Sequence, residues 1–356
     1  MRQDIFPEAE RDLRQALAVR EKQFGPDHPK VAVRLNELAR LLEDSNQLAE
    51  AETHYRRALA IGEKSLGPEH SHVAIYLNNL ASLLQKTNRL SEAEPLLRRA
   101  LAIDEKSFGP DHFIVVTKLG NLAQLLQATN RLAEAESLMR RALAIGEKNL
   151  RPEHPDVAIR LSNLAGLLKA TNRLAEAEPL MRRALAIGET NLGPEHPDVA
   201  LRLSNLAGLL RTTNRLAEAE PLYRRALAIG ESNQGPKHPD VALRLNNLAG
   251  LLRATNRLAE AEPLYRRALA IDEKSYGSEH PSVAVGLNNL AGLLQDTNRL
   301  MEAEPLSKRS VSILARSLGL EHPNTQKVLN VYKGILYAMD LSAQEMQAKV
   351  RAVTGQ

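Results

Sequence analysis

The sequence predicts an all-α protein, a solenoid of stacked antiparallel helix pairs. Three observations carry this expectation. The chain of 356 residues repeats itself every 42 residues: Thr213-Asn214-Arg215-Leu216-Ala217-Glu218-Ala219-Glu220-Pro221-Leu222 recurs almost unchanged at Thr171–Leu180, Thr255–Leu264 and Thr297–Leu306, and more loosely from Thr87 and Thr129. A fixed period of roughly 20 to 50 residues marks units too small to bury their own apolar faces, which therefore stack. Within each period the apolar residues follow helical spacing twice. The composition agrees: 43% of residues are hydrophobic but only 3% are aromatic, and Trp is absent. A core of Leu, Ala, Ile and Val suits close helix packing better than a sandwich or barrel.

The elements follow in order. Residues 1–28 hold a half repeat, a single helix of the second type at about residues 7–23. Residues 29–322 hold seven full helix pairs, and the unit Pro197 to His238 shows why. Leu203, Leu206, Ala207 and Leu210 fall at i, i+3, i+4 and i+7, the apolar stripe of an amphipathic helix. Pro197 suits its first turn, where a missing N–H is no loss. Thr212-Thr213-Asn214 breaks the pattern, and Asn214 can close the helix in the left-handed conformation usually left to glycine.

A second helix runs from about Arg215 to Ser232, with Leu216, Ala219, Leu222, Tyr223, Ala226, Leu227 and Ile229 on its apolar face. Pro221 near its start predicts a mild kink. Glu220 and Arg224 stand at i, i+4 in the favourable order. The pairing recurs as Glu52/Arg56, Glu94/Arg98, Glu136/Arg140, Glu178/Arg182, Glu262/Arg266 and Glu304/Lys308. Gly235-Pro236-Lys237-His238-Pro239 ends the unit with strong breakers. Residues 323–356 hold a lone first-type helix at about 324–338 and then a capping helix. Ser342-Ala343-Gln344-Glu345 is a capping-box pattern, with Leu341 and Met346 placed as a hydrophobic staple.

Bulk composition narrows the function classes. Cysteine is absent, so there are no disulfides, thiolate metal sites or Cys nucleophile. The segment Met1 to Pro7 lacks the apolar run of a signal peptide, and no stretch approaches the roughly 18 apolar residues of a membrane span. The cytoplasm is the expected location. Net charge is +4, with 47 Lys and Arg against 43 Asp and Glu. No concentrated basic run argues for nucleic acid. There is no Gly-rich phosphate loop, His-Glu-x-x-His or Gly-x-Ser-x-Gly, so neither an enzyme, a cofactor nor a small-molecule ligand is expected.

The columns Leu203, Leu206-Ala207, Leu210, Ala219, Tyr223 and Ala226 resemble the tetratricopeptide repeat, in the 42-residue form found in kinesin light chains and many bacterial repeat proteins. Leu245-Asn246-Asn247-Leu248-Ala249 through Glu262-Pro263-Leu264-Tyr265-Arg266-Arg267-Ala268-Leu269 is similar to a kinesin light chain repeat. The resemblance covers nearly the whole chain. It implies a right-handed superhelix whose first helices line a concave groove, and a binding scaffold rather than a catalyst. Asn214 replaces the usual glycine of the inter-helix turn. The coiled-coil heptads that join a kinesin light chain to its motor are missing, so a motor-adaptor role does not follow.

Four recurring columns are candidates for function. Asn79, Asn121, Asn163, Asn205, Asn247 and Asn289 form a ladder, with Glu37 and Val331 at its ends. Each lies two residues before the buried Ala, about 200° around the helix and so away from the core. A side-chain amide both donates and accepts, and can hold a peptide backbone without regard to its sequence. The alternative is that these residues cap or bridge helices within the stack. Gly166, Gly208, Gly250 and Gly292 lie mid-helix on the same face, each costing roughly 1 kcal/mol against Ala. They either keep a groove open or let helices approach closely.

Arg160, Arg202 and Arg244, with Lys169, Arg211 and Arg253, would favour an acidic ligand if they reach the groove. His28, His70, His112, His154, His196, His238, His280 and His322 recur once per repeat. Helices about 8–10 Å apart place them too far from one another to share a metal, so a helix-start packing role is expected. The leading expectation is a non-enzymatic scaffold that binds an extended, acidic peptide segment. The alternatives are a sensor or oligomerisation region of a larger bacterial signalling NTPase or protease, and RNA binding with affinity falling steeply with salt.

Overall fold

The computed structural model describes residues 5–354; Met1–Asp4, part of the N-terminal segment read above, lie outside the described residues, as do the last two. Among the described residues there are seventeen helices and no strands. The chain divides into two compact units, residues 1–180 and 181–356. The first holds α1 (Ile5–Phe24), α2 (Pro29–Asp44), α3 (Leu48–Leu66), α4 (Ser71–Lys86), α5 (Leu90–Phe108), α6 (Val115–Ala128), α7 (Leu132–Asn149) and α8 (Pro155–Ala170). Helix α9 (Leu174–Leu192) runs across the division. The second holds α10 (Pro197–Thr212), α11 (Leu216–Gln234), α12 (Pro239–Ala254), α13 (Leu258–Tyr276), α14 (Pro281–Asp296), α15 (Leu300–Leu318), α16 (Pro323–Ala338) and α17 (Ala343–Thr354). Even-numbered helices are first helices of a repeat; odd-numbered ones up to α15 are second helices.

The turn within each repeat is built as its sequence demands. Asn46, Asn88, Asn130, Asn172, Asn214, Asn256 and Asn298 all adopt the left-handed conformation, with φ between 58° and 62°. At Asn214 the chain reverses through Arg215 N–H donating to Leu210 O at 2.8 Å, which uses a carbonyl the helix end would leave unpaired. The prolines within second helices leave them unbroken: Pro221 lies inside α11 and Pro263 inside α13.

The histidines start the first helices. In all eight, Nδ1 accepts the backbone N–H two residues on, at 3.1–3.2 Å, from His28 with Lys30 to His322 with Asn324. An N-cap acceptor satisfies one of the free donors at a helix start. Among the described residues no group of three His, Cys, Asp or Glu could hold a metal.

Core and surface divide the work of stacking. In the first unit Val73, Ala74 and Leu77 of α4 pack with Ala100 and Ile103 of α5, over Leu59 of the preceding repeat. In the second, Val199, Ala200 and Leu203 of α10 pack with Ala226 and Ile229 of α11. The alanines let backbones approach, and the aliphatics fill the space between them.

On the surface, arginines clasp one repeat to the next. Arg257, just before α13, reaches Glu260 in its own repeat and Glu220 of α11, at 2.7–2.8 Å. Arg89, Arg131 and Arg299 repeat the clasp to Glu52, Glu94 and Glu262. The Arg257 guanidinium beside Glu220 holds that carboxyl below its ordinary range. Each exposed pair contributes no more than about 1 kcal/mol, and the series matters through repetition.

The i, i+4 pairs form at Glu52/Arg56, Glu94/Arg98, Glu136/Arg140, Glu220/Arg224 and Glu262/Arg266. Glu304 differs: it accepts from the Tyr332 hydroxyl at 3.1 Å and from Lys349 at 3.0 Å, because α16 and α17 bring those donors to the end of the stack. The capping box of α17 is formed, with Ser342 N–H donating to Glu345 at 2.9 Å. Leu341 and Met346 both pack on the last core cluster.

Candidate functional site

Each first helix presents a face that its own core does not use. In the second unit Leu201, Leu243 and Val285 lie 56%, 62% and 50% exposed on α10, α12 and α14. One turn further on stand Asn205, Asn247 and Asn289, on the same side of their helices. In the first unit Ile75 precedes Asn79 and Ile159 precedes Asn163, both aliphatics again exposed; Thr117 takes the place before Asn121. Within each unit, then, aliphatic side chains stand beside amides on this face. The aliphatic row belongs to the candidate site and was missed in the sequence. Its signal was there: an apolar residue recurs every 42 residues off the buried stripe, where a solvated helix would carry a polar one.

The asparagine ladder divides along the chain. Asn79 Nδ2 donates to Asn36 Oδ1 at 2.9 Å, and Asn121 Nδ2 to Asn78 Oδ1 at 2.8 Å, each bridging two consecutive first helices. These amides serve the stack with one hand and keep the carbonyl free. Asn163 lies 43 residues beyond position 120, which is Gly120, so that bridge has no acceptor side chain; Asn163 is exposed. Asn205 is exposed and Asn247 and Asn289 half-buried. The bridging and ligand-facing readings therefore apply to different rungs.

The basic residues separate into two groups. Arg160, Arg202 and Arg244 lie against glycines of the preceding second helix: a Cβ on Gly146, Gly188 or Gly230 would come within 3.0–3.2 Å of them. Arg244 is only 8% exposed and donates to Gln234 at 3.2 Å. Burial pulls Arg160 and Arg202 below their ordinary pKa. These arginines are largely packing elements, and Arg160 also borders an opening on the ladder face.

Arg211 and Arg253 reach along the ladder face to the next first helix. Their guanidinium nitrogens would meet a Cβ on Gly250 at 3.0 Å and on Gly292 at 2.7 Å. Arg253 is further paired with Asp296 and donates to Gly292 O at 3.0 Å, and the Asp296 bond raises its pKa. So Gly250 and Gly292 make room for an arginine, whereas a Cβ on Gly166 would meet nothing within 4 Å. Lys169 stands at the equivalent place on α8.

Two positions 14 residues apart fill one space between repeats, and they vary together: Gly62 with Tyr76, Gly146 with Arg160, Gly188 with Arg202, Gly230 with Arg244. Asp104 and Lys118 place a buried ion pair there, 2.8 Å apart. Asp272 faces Gly286 instead. It is 6% exposed, and burial raises its pKa.

On the ladder face of the first unit, a recess of about 210 Å³ is bordered by residues of α6, α7 and α8, among them Gly120, Asn121, Asn163 and Arg160. The whole arrangement can hydrogen-bond a backbone, cover apolar side chains and oppose a negative charge. Nothing in it pairs a nucleophile with a base.

Comparison with known proteins agrees with this geometry. A family profile described as tetratricopeptide repeat matches residues 1–64, 35–106, 114–190, 161–232, 198–274 and 240–316. No curated protein sequence matches the chain. Among solved structures, the nearly identical TPR-like repeats of a Podosopora anserina protein of kinesin light chain type align with a TM-score of 0.52 at 28% identity, over 58% of this chain and 98% of that one. BtubC of P. vanneervenii aligns with a TM-score of 0.53 at 26% identity, over 70% of this chain and 94% of that one. A signal-transduction ATPase of Pyrococcus horikoshii with a tetratricopeptide repeat sensor aligns with a TM-score of 0.65 at 14% identity, over 99% of this chain and 52% of that one.

Proposed function

The chain belongs to the tetratricopeptide repeat family, and on that premise we propose that it is a non-enzymatic scaffold, working in the cytoplasm, that binds an extended segment of a partner protein along the exposed face of its first helices. Proteins of this family are generally interaction scaffolds. One observation carries the reading: an exposed aliphatic residue and, one turn on, an asparagine recur at 42-residue spacing, with Asn163 and Asn205 exposed. Apolar side chains kept in water at a fixed period lose free energy unless something covers them. The amides beside them supply a donor and an acceptor for a backbone of any sequence.

The spacing suits an extended ligand. Neighbouring helices stand about 8–10 Å apart, and an extended chain rises about 3.3 Å per residue. Successive first helices would then meet every third ligand residue. Arg211, which lies on this face beside Gly250, biases the choice toward acidic segments, while Arg253 there is already paired with Asp296.

The test is selection of random dodecapeptides displayed on phage against the full chain, followed by titration of the enriched peptides by fluorescence anisotropy. The same titration is run on the triple variant Asn163, Asn205, Asn247→Leu, with its helicity checked by circular dichroism. Loss of binding by a folded variant is the expected result. Undiminished binding, or no enriched peptide at all, would sink the proposal.

A second reading, as the sensor region of a larger signalling NTPase or protease, draws on the likeness to the ATPase sensor over 99% of this chain. At 14% identity that likeness speaks for fold alone. Reading the natural gene on both sides of this segment for an NTPase or protease domain tests it.

A further inference from the structure

One repeat of the first unit departs from the period where the ladder needs an acceptor. Asn36 on α2 and Asn78 on α4 each receive the amide of the next first helix. Gly120 on α6 takes their place and has no side chain to offer, and a Cβ built there would meet nothing within 4 Å. Asn163 therefore keeps its donors and its acceptor, and the recess of about 210 Å³ lies beside it. That volume is below the roughly 300–1,000 Å³ of sites built for whole small molecules. It suits a single side chain.

The recess has an apolar wall, an arginine with one unpartnered nitrogen and an aspartate, Asp156, at its border. Val116, Met139 and Ile159 supply the wall. Arg160 lies over the Phe113 ring at 5.3 Å, and its Nη1 donates to the backbone carbonyl of Asp156. Its Nε is buried without a hydrogen-bond partner, and the Asp156 carboxylate, which also borders the recess, attracts it without forming an ion pair. Lys118 and Arg253 have such a partner in Asp104 and Asp296; Arg202 and Arg244, packed at the equivalent place in later repeats, share the unpartnered Nε of Arg160. A cation withdrawn from water with no carboxylate in contact is costly, and burial outweighs the attraction of Asp156 and pulls the Arg160 pKa down. An apolar occupant would leave that cost in place, and a basic one would add to it.

We propose that the Gly120 recess admits one glutamate side chain of the bound peptide, its methylenes against Val116, Met139 and Ile159 and its carboxylate accepting from Arg160. The ladder amides Asn121 and Asn163 hold the peptide backbone on either side. The inference rests on the scaffold reading above and gives it a position-specific preference. Aspartate is one methylene shorter and cannot cover the wall while meeting the guanidinium.

The experiment uses the peptides enriched by phage display on the full chain, each synthesised with glutamate, glutamine or aspartate at any shared acidic position. Fluorescence anisotropy then compares the parent with Gly120→Asn and Arg160→Gln. Gly120→Asn restores the acceptor for Asn163 and fills the recess, so its unfolding midpoint should equal or exceed the parent's. The expected result is a shared glutamate whose change to glutamine or aspartate weakens binding about tenfold or more, roughly the factor for one charged hydrogen bond. In both variants that preference should collapse to within about twofold. A glutamate preference that survives in Gly120→Asn would overturn the inference, as would enriched peptides with no shared acid. If the asparagine triple variant abolishes binding while Gly120→Asn changes nothing, the scaffold reading stands and the recess inference falls. If neither changes binding, both fall.

Discussion

Asp272 shows how much one residue depends on its neighbour across the repeat interface. Its equivalent, Asp104, is buried against Lys118 at 2.8 Å. Asp272 is equally enclosed but faces Gly286, and desolvation raises its pKa. A carboxyl whose folded pKa lies above its unfolded value near 3.9 contributes stability that is complete below that value and lost as pH rises through the folded pKa. The charge is thus a penalty at neutral pH. Asp272→Asn should raise the thermal midpoint by a few degrees at pH 7, and the gap to the parent should close by about pH 4; a gap independent of pH would refute this.

The glycines make a second residue-scale case. Gly166→Ala meets open space and should gain roughly 0.5–1 kcal/mol from helix propensity alone. Gly292→Ala would meet Arg253 Nη1 at 2.7 Å, where Arg253 is tied to Asp296 and to the Gly292 carbonyl. Its gain should vanish or reverse. Urea unfolding of the two variants side by side decides the matter, and equal gains would contradict the packing argument.

At the scale of the element, the first helices up to α14 end on a left-handed asparagine where the second helices, such as α11 and α13, end on glycine. Asn214 holds φ at 59° between α10 and α11. A residue with a Cβ and no local hydrogen-bonding group pays about 1–2 kcal/mol there, so Asn214→Ala should lose roughly that amount while Asn214→Gly stays close to the parent. Comparable losses for both would mean that the side-chain amide, not the backbone conformation, is what counts. At the opposite end, His238 and its counterparts accept a backbone N–H through Nδ1. The period places such an acceptor at or just before every first-helix start, which gives the conspicuous column a structural role.

For the whole molecule, stacking means that each repeat is held chiefly by its sequence neighbours. Leu245 is fully buried with Ala242 and Ala268 in one cluster of the second unit. Leu245→Ala should cost about 2–5 kcal/mol. Amide exchange should rise most in α11 to α14 and far less in α15 to α17. Uniform loss of protection across the second unit would argue for a single cooperative block instead.

The sequence by itself determined the period, the two helices per unit, the left-handed asparagines, the buried columns of Leu and Ala, and the final capping helix. All of these are local: they depend on residues within one turn or one repeat, and periodicity reports them directly. The tertiary structure decided what each surface column does. Arg244 reads as a groove cation in the chain and is packed against Gly230, because position i+14 of the next helix fills the space a glycine leaves. Asn121 and Asn163 read as equal rungs, yet only Asn121 has an acceptor 43 residues earlier. Such differences lie between repeats, where the partner of a side chain belongs to another helix, and a one-dimensional period cannot say which face will meet it.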